Sequence, residues 1–127
     1  MFLTELKKEE KEAFLELASL IAKIDGNHSI FEHSILKEYR NELGMKDYVI
    51  KGVPIEEILN VYTSERSKNI VLTEILRLIF SDGVYHDYEK DSVRYIKNHF
   101  GFASNEYESM KDWVAKIKEL ANYPENV

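Results

Sequence analysis

The chain has 127 residues, of which 44% are hydrophobic and 31% charged, and it contains no cysteine. This composition is typical of one ordinary globular domain, and the lack of cysteine excludes disulfides, thiol catalysis and thiolate metal sites. The formal net charge of −6 argues against nucleic-acid binding, because an acidic chain repels phosphate groups. No apolar run approaches the roughly 20 residues that span a bilayer, so we expect a cytoplasmic protein without membrane insertion.

The first half of the chain has the apolar spacing of helices. From Leu3 to Ile24 apolar residues recur every three or four positions, which predicts an amphipathic helix that Gly26 ends. Its opposite face is expected to hold the charged residues Lys7, Lys8, Glu9, Lys11, Glu12 and Glu16.

Local capping signals place the next two helices. Ser29 and Glu32 have the spacing of a capping box, which predicts the start of a second helix that ends at Gly44. Pro54 suits the first turn of a short third helix, because a proline ring fixes the backbone angle that a helix start requires.

The second half repeats this plan. Ser64 is expected to cap a helix that ends at Gly83, and a further helix is expected over about Asp87–Phe100. A last helix is predicted to begin at Ser104 or Asn105, to carry Tyr107 on its apolar face and to end before Pro124. No segment alternates with period two for long enough to predict a strand, so the fold class is all-α.

An internal repeat is the most informative pattern. Asp25-Gly26 and Asp82-Gly83 are separated by 57 residues, and the same offset pairs Glu32 with Glu89. It also pairs identical residues at Lys11 and Lys68, Leu15 and Leu72, Asn41 and Asn98, and Gly44 and Gly101. We interpret residues 11–44 and 68–101 as duplicated helix-loop-helix units. They predict one domain over residues 1–127: a compact helical bundle of two pseudo-symmetric halves plus a C-terminal helix without a counterpart.

The repeated Asp-Gly-x5-Glu spacing matches part of an EF-hand calcium loop. The first and third ligand positions of such a loop would be Ile21 and Lys23 in one copy, and Leu78 and Phe80 in the other. These side chains cannot supply carboxylate oxygens, so the pattern excludes an EF-hand.

Two interpretations of the repeated turns remain open. In the first, the aspartate and glutamate only cap helices and the glycine supplies a turn. In the second, the turns hold a divalent metal ion, because carboxylate and imidazole groups together suit Zn²⁺ or Mn²⁺. The candidate ligands are Asp25, His28 and Glu32 in the first copy, and Asp82, His86, Asp87 and Glu89 in the second.

These motifs resemble the signature of the TerB-like tellurite-resistance family. Residues 20–26 read LIAKIDG and are followed by SIFE at 29–32; residues 78–83 read LIFSDG and are followed by Glu89. The resemblance implies a helical bundle of two similar halves in the bacterial cytoplasm, linked to tellurite resistance and stress responses. Similar domains occur fused to co-chaperone J-domains. It also implies metal binding at Asp25, Glu32, Asp82 and Glu89, although His86 replaces the capping serine of the first copy.

Three functions follow as hypotheses. The favoured one is a non-enzymatic stress-response module that binds protein partners and a divalent metal ion. The second is a metal-free protein-interaction domain whose acidic turns only cap helices. The third is a small metal-dependent hydrolase, although no hydrolase, kinase or nucleotide-binding signature occurs and no residue is assigned a catalytic role. The sequence names no particular partner and no oligomeric state.

Overall fold

The computed structural model describes residues 2–24, 30–80 and 87–122. For residues 24, 30–33 and 88 it describes the backbone and not the side chain. These residues form six α-helices and a 3₁₀ turn at Leu3–Glu5, and none of them forms a strand, which confirms the all-α prediction. The helices are α1 (Lys8–Ile24), α2 (Ile30–Glu42), α3 (Ile55–Asn60), α4 (Glu65–Ile79), α5 (Asp87–Phe100) and α6 (Met110–Asn122). None of these helices is both long enough and apolar enough to cross a membrane.

The chain divides into two compact units, Met1–Tyr62 and Thr63–Val127. In the first unit α1 packs against α2 and α3, and in the second α4 packs against α5 and α6. Each unit therefore has the same order of three helices, with the first helix in the middle of the contacts.

The core of the first unit forms around α1. Phe14, Leu15 and Leu17 have no exposed surface, and the Phe14 ring meets the Tyr39 ring edge to face with 4.9 Å between centroids. The hydroxyl of Tyr62 donates to the carbonyl oxygen of Glu10 at 2.7 Å. The ring contact attaches α2 to α1, and the hydrogen bond attaches the residues just after α3 to α1.

The core of the second unit forms around α4, in which every residue from Ile70 to Leu76 is buried. Ser64 caps this helix as predicted, since its Oγ accepts from the N–H of Ser67 at 3.0 Å. The indole N–H of Trp113 donates to the carbonyl oxygen of Thr73 at 2.8 Å, which joins α6 to α4.

The second helix of each unit ends in the same way, at the glycine predicted to end it. Gly44 and Gly101 have φ angles of 69° and 79°, a left-handed conformation that glycine adopts without a steric penalty. Their N–H groups donate to the carbonyl oxygens of Asn41 and Asn98 at 3.2 Å each. The N–H of the following residue closes a second bond, at 2.8 Å in α2 and 2.9 Å in α5. Both ends are Schellman motifs.

Two predictions about the first helix are wrong. The helix begins at Lys8 and not at Leu3, because Leu3–Glu5 form a separate 3₁₀ turn and the N–H of Lys7 donates to the side chain of Glu10. Glu16 was predicted to lie on the charged face, but it is only 3% exposed. It is buried because a later segment of the chain folds over it.

The predicted start of the last helix is also wrong. The helix begins at Met110, and its cap is Ser109, whose Oγ accepts from the N–H of Asp112 at 3.2 Å. Tyr107 fits the apolar spacing of the helix but lies before it, with a φ angle of 58° and almost no exposure. Tyr107 belongs to the connector between α5 and α6, and its ring is buried in the core of the second unit.

The last helix, α6, packs in the second unit much as the shorter α3 packs in the first. Both α3 and α6 follow a Schellman motif and a connector, and each packs against the first helix of its unit. The starts of α3 and α6 lie 55 residues apart and not 57. This change of register hides the equivalence from a comparison at one fixed offset.

Candidate metal site and two buried charged groups

The two Asp-Gly motifs occupy equivalent places in the two units. The first motif lies in the segment between the end of α1 at Ile24 and the start of α2 at Ile30, and the second in the segment between the end of α4 at Ile79 and the start of α5 at Asp87. Each motif therefore lies between the first and second helix of its unit. The predicted ligands Asp25, His28, Asp82 and His86 lie outside the described residues.

Three predicted ligands lie on the helices that follow these turns. Glu32 is the third residue of α2, but its side chain is outside the description. Asp87 begins α5 with a fully exposed carboxylate whose Oδ1 lies 3.9 Å from Nζ of Lys90, whereas Glu89 is only 9% exposed. Carboxylates in a first helical turn are stabilised by the helix dipole, so this placement also suits a purely structural role.

Within residues 2–24, 30–80 and 87–122, no three His, Asp or Glu side chains are arranged to hold a metal ion. The positions that an EF-hand would need for its first ligands belong to α1 and to the end of α4. Ile21 and Phe80 are buried there. The described segments before both turns thus lack the loop geometry of an EF-hand.

Glu16 is a buried acceptor that the sequence patterns missed. Its Oε2 accepts from the hydroxyl of Tyr48 at 2.6 Å and from the N–H of Lys51 at 2.8 Å. Its Oε1 accepts from the N–H groups of Gly52 and Val53 at 3.0 and 3.2 Å. One carboxylate therefore binds the connector between α2 and α3 to the middle of α1.

The electrostatics of Glu16 follow from these bonds. Burial raises the pKa of its carboxyl, but the hydrogen bond from Tyr48 and the three backbone N–H donors together outweigh burial and hold the pKa below the ordinary 4.5. The carboxylate is therefore charged at neutral pH. A signal was present in the sequence, because Glu16 is flanked by apolar residues on both sides: Ala13, Phe14, Leu15, Leu17 and Ala18.

Lys97 is a buried charged residue of the second unit, on the second helix of that unit. It is 6% exposed, and its Nζ donates to the carbonyl oxygens of Ser104 and Glu106 at 2.9 and 2.7 Å. These bonds hold the connector between α5 and α6 against α5. Burial lowers the pKa of the Lys97 ammonium group from its ordinary 10.5, since a charged group loses hydration there.

A cavity of about 260 Å³ lies beside Lys97. It is lined by Lys90, Val93, Arg94, Lys97, Ser104, Tyr107 and Glu108. The first unit has a larger depression of about 500 Å³, lined by residues of α1 and of the connector between α2 and α3. Of these two cavities, the one at Lys97 contains the larger excess of cationic side chains.

The chain matches no family model, no curated protein and no solved structure.

Proposed function

We propose that this chain is a non-enzymatic module of a bacterial stress response, similar to the TerB-like tellurite-resistance proteins. It acts in the cytoplasm by binding protein partners, and it binds a divalent metal ion through its duplicated Asp-Gly-x5-Glu turns. The metal ligands are the carboxylates of Asp25, Glu32, Asp82 and Glu89, with His28, His86 and Asp87 as further donors.

The observation that carries this proposal is the equivalence of the two units. Each has the same three-helix order, the same Schellman motif at Gly44 or Gly101 and the same turn position for its Asp-Gly pair. Duplicated helix starts need a cap, but a cap needs only one side-chain acceptor. Each motif instead supplies several oxygen and nitrogen donors within eight residues, which is the donor set that Zn²⁺ and Mn²⁺ prefer.

Exposed apolar side chains support the protein-partner part of the proposal. Met110 and Val114 lie one turn apart on α6, and they are 39% and 43% exposed. Apolar side chains on one helical face are suited to bury surface against another protein.

Isothermal titration calorimetry with ZnCl₂, MnCl₂ and CaCl₂ tests the metal part. We expect saturable binding of at least one ion by the native chain. The double variant Asp25→Asn, Asp82→Asn should bind about tenfold more weakly or worse, because it removes a charged ligand from each turn.

The matched control is the double variant Asp47→Asn, Asp91→Asn, which removes the same charge from exposed positions outside both turns. It should bind the ion as the native chain does. If none of the three ions binds, or if the turn variant binds as tightly as the control, the turns are only helix caps. The metal-free interaction domain would then be the better account.

A further inference from the structure

The cavity beside Lys97 has an unusual charge for this chain. The chain as a whole has a net charge of −6, yet the cavity is lined by three cationic side chains and one carboxylate, that of Glu108. The cations are Lys90, Arg94 and Lys97, and their spacing along α5 places them on one face of the helix. The lining therefore has an excess of cationic side chains, although Asp87 and Asp91, outside the lining, lie 3.9 Å from Lys90 and 2.8 Å from Arg94.

Lys97 is a buried donor in the cavity lining. An ammonium group carries three N–H bonds, and two of them go to the carbonyl oxygens of Ser104 and Glu106. The described residues show these two hydrogen bonds of Nζ, and the carboxylates of Glu108, Glu106 and Asp112 partly oppose the lowering of the Lys97 pKa by burial. Because Lys97 is almost fully buried and lines the cavity, an anion held there would offset the cost of burying its charge.

Arg94 adds a second donor at the same cavity. Its Nη1 lies 2.8 Å from Oδ1 of Asp91 on the exposed side of α5. A guanidinium group has five N–H donors in a planar fork, so one such bond leaves most of them for an oxyanion. Its side chain is 64% exposed and can turn towards a ligand.

The duplication preserves the basic character of this helix face. At the offset of 57 residues the three positions correspond to His33, Lys37 and Arg40 on α2. All six positions hold a basic residue type, although none of the three pairs is identical. Nε of Arg40, the counterpart of Lys97, is buried without a hydrogen-bond partner among the described residues.

We propose that the cavity lined by Lys90, Arg94 and Lys97 is a binding site for an oxyanion, the phosphate or carboxylate group of a small molecule. Lys97 supplies a fixed, buried donor and Arg94 an adaptable one. The volume of about 260 Å³ lies just below the roughly 300–1,000 Å³ of drug-sized ligand sites, which favours a small ligand. The negative charge of the rest of the chain disfavours a polyanion such as nucleic acid.

The test is a titration of the full chain, followed by ¹H–¹⁵N NMR, with sodium phosphate and with sodium acetate at constant ionic strength set by chloride. We expect saturable shifts at the amides of Lys97, Ser104 and Tyr107 with at least one of the two anions. Tighter binding of phosphate would identify a phosphoryl ligand, and tighter binding of acetate a carboxylate ligand.

Two exposed positions give variants with opposite expected effects. Arg94→Gln should weaken the binding by about three- to tenfold, because it removes a charge-assisted donor. Glu108→Gln should tighten it by about two- to threefold, because it removes the opposing charge from the cavity wall. Lys118→Gln, which removes an exposed positive charge from α6 away from the cavity lining, is the control and should leave the affinity unchanged.

Two results would overturn the proposal. The first is shifts that rise linearly without saturation for both anions, which indicates only general screening. The second is an affinity that Arg94→Gln and Glu108→Gln change in the same direction or by no more than Lys118→Gln does. Neither readout depends on metal binding at the Asp-Gly turns.

Discussion

The hydroxyl of Tyr48 donates a 2.6 Å hydrogen bond to Oε2 of Glu16, which lies 32 residues earlier in the chain. The bond joins the connector after α2 to the buried middle of α1. Because its acceptor is charged, it is of the kind that contributes more to stability than a bond between neutral groups.

The variant Tyr48→Phe removes this bond and keeps the ring. We expect it to lower the free energy of unfolding by about 1.5 kcal/mol, the low end for a hydrogen bond to a charged group. Urea denaturation followed by circular dichroism measures the change. Val49→Ala, at a neighbouring position that is 74% exposed, is the control and should change stability by less than about 0.5 kcal/mol. Equal effects of the two variants would show that the Tyr48 bond contributes nothing.

The pH dependence of stability should report Glu16. Its pKa in the folded chain is below the ordinary 4.5, so its contribution to stability is complete above about pH 4.5. The contribution is lost as the pH falls through the lower folded value, because the carboxyl then takes up a proton and loses charged acceptor oxygens. We expect the native chain to lose stability below about pH 4.5, and Glu16→Gln to show a smaller loss over the same range.

Urea denaturation at several pH values between neutrality and about pH 3 measures how the free energy of unfolding changes with pH for the native chain and for Glu16→Gln. Glu12→Gln removes a carboxylate one turn away and is the control. Its free energy of unfolding should change with pH as that of the native chain does. Parallel curves for the native chain and Glu16→Gln would contradict the role assigned to Glu16.

The two Schellman motifs should respond equally to substitution. An added Cβ at Gly44 or Gly101 would meet no atom within 4 Å, so only the backbone conformation opposes a side chain there. We expect Gly44→Ala and Gly101→Ala each to cost about 1–2 kcal/mol of unfolding free energy, and the asparagine variants to cost less. Thermal and urea denaturation of the four variants measure these costs. A marked difference between the two alanine variants would contradict the structural equivalence of the units.

The helix boundaries that the sequence predicts correctly rest on local chemistry. Ser64 begins α4 because its own side chain accepts from the backbone three residues later, and Gly44 and Gly101 end α2 and α5 because glycine accepts a positive φ angle. Such signals act over one helical turn, so they can be recognised without knowing the fold.

The errors arise where distant segments decide the structure. Glu16 continues the spacing of the charged residues Glu9 and Glu12; its apolar neighbours hint at burial, but the burial itself depends on a connector more than thirty residues later. Tyr107 continues the apolar spacing of α6, but the chain places it before that helix with a positive φ angle. Lys97 gives no signal in the sequence because its two acceptors are backbone carbonyl groups.

The candidate metal site was predicted from residue types and spacing alone. The structure puts both Asp-Gly motifs between equivalent helices and describes the environments of Asp87 and Glu89. Ligation depends on where the carboxylates of Asp25 and Asp82 lie, and helical periodicity holds no information about turn geometry. Metal binding at these turns therefore stays a prediction.

Anomalous X-ray scattering from crystals grown with Mn²⁺ or Zn²⁺ tests the central claim most directly, because it locates the ion. The proposal predicts an anomalous peak within about 2.6 Å of a carboxylate oxygen of Asp25 or Asp82, and no such peak in crystals of Asp25→Asn, Asp82→Asn. A native crystal with no peak at either turn, or with peaks only at other carboxylates, would contradict it.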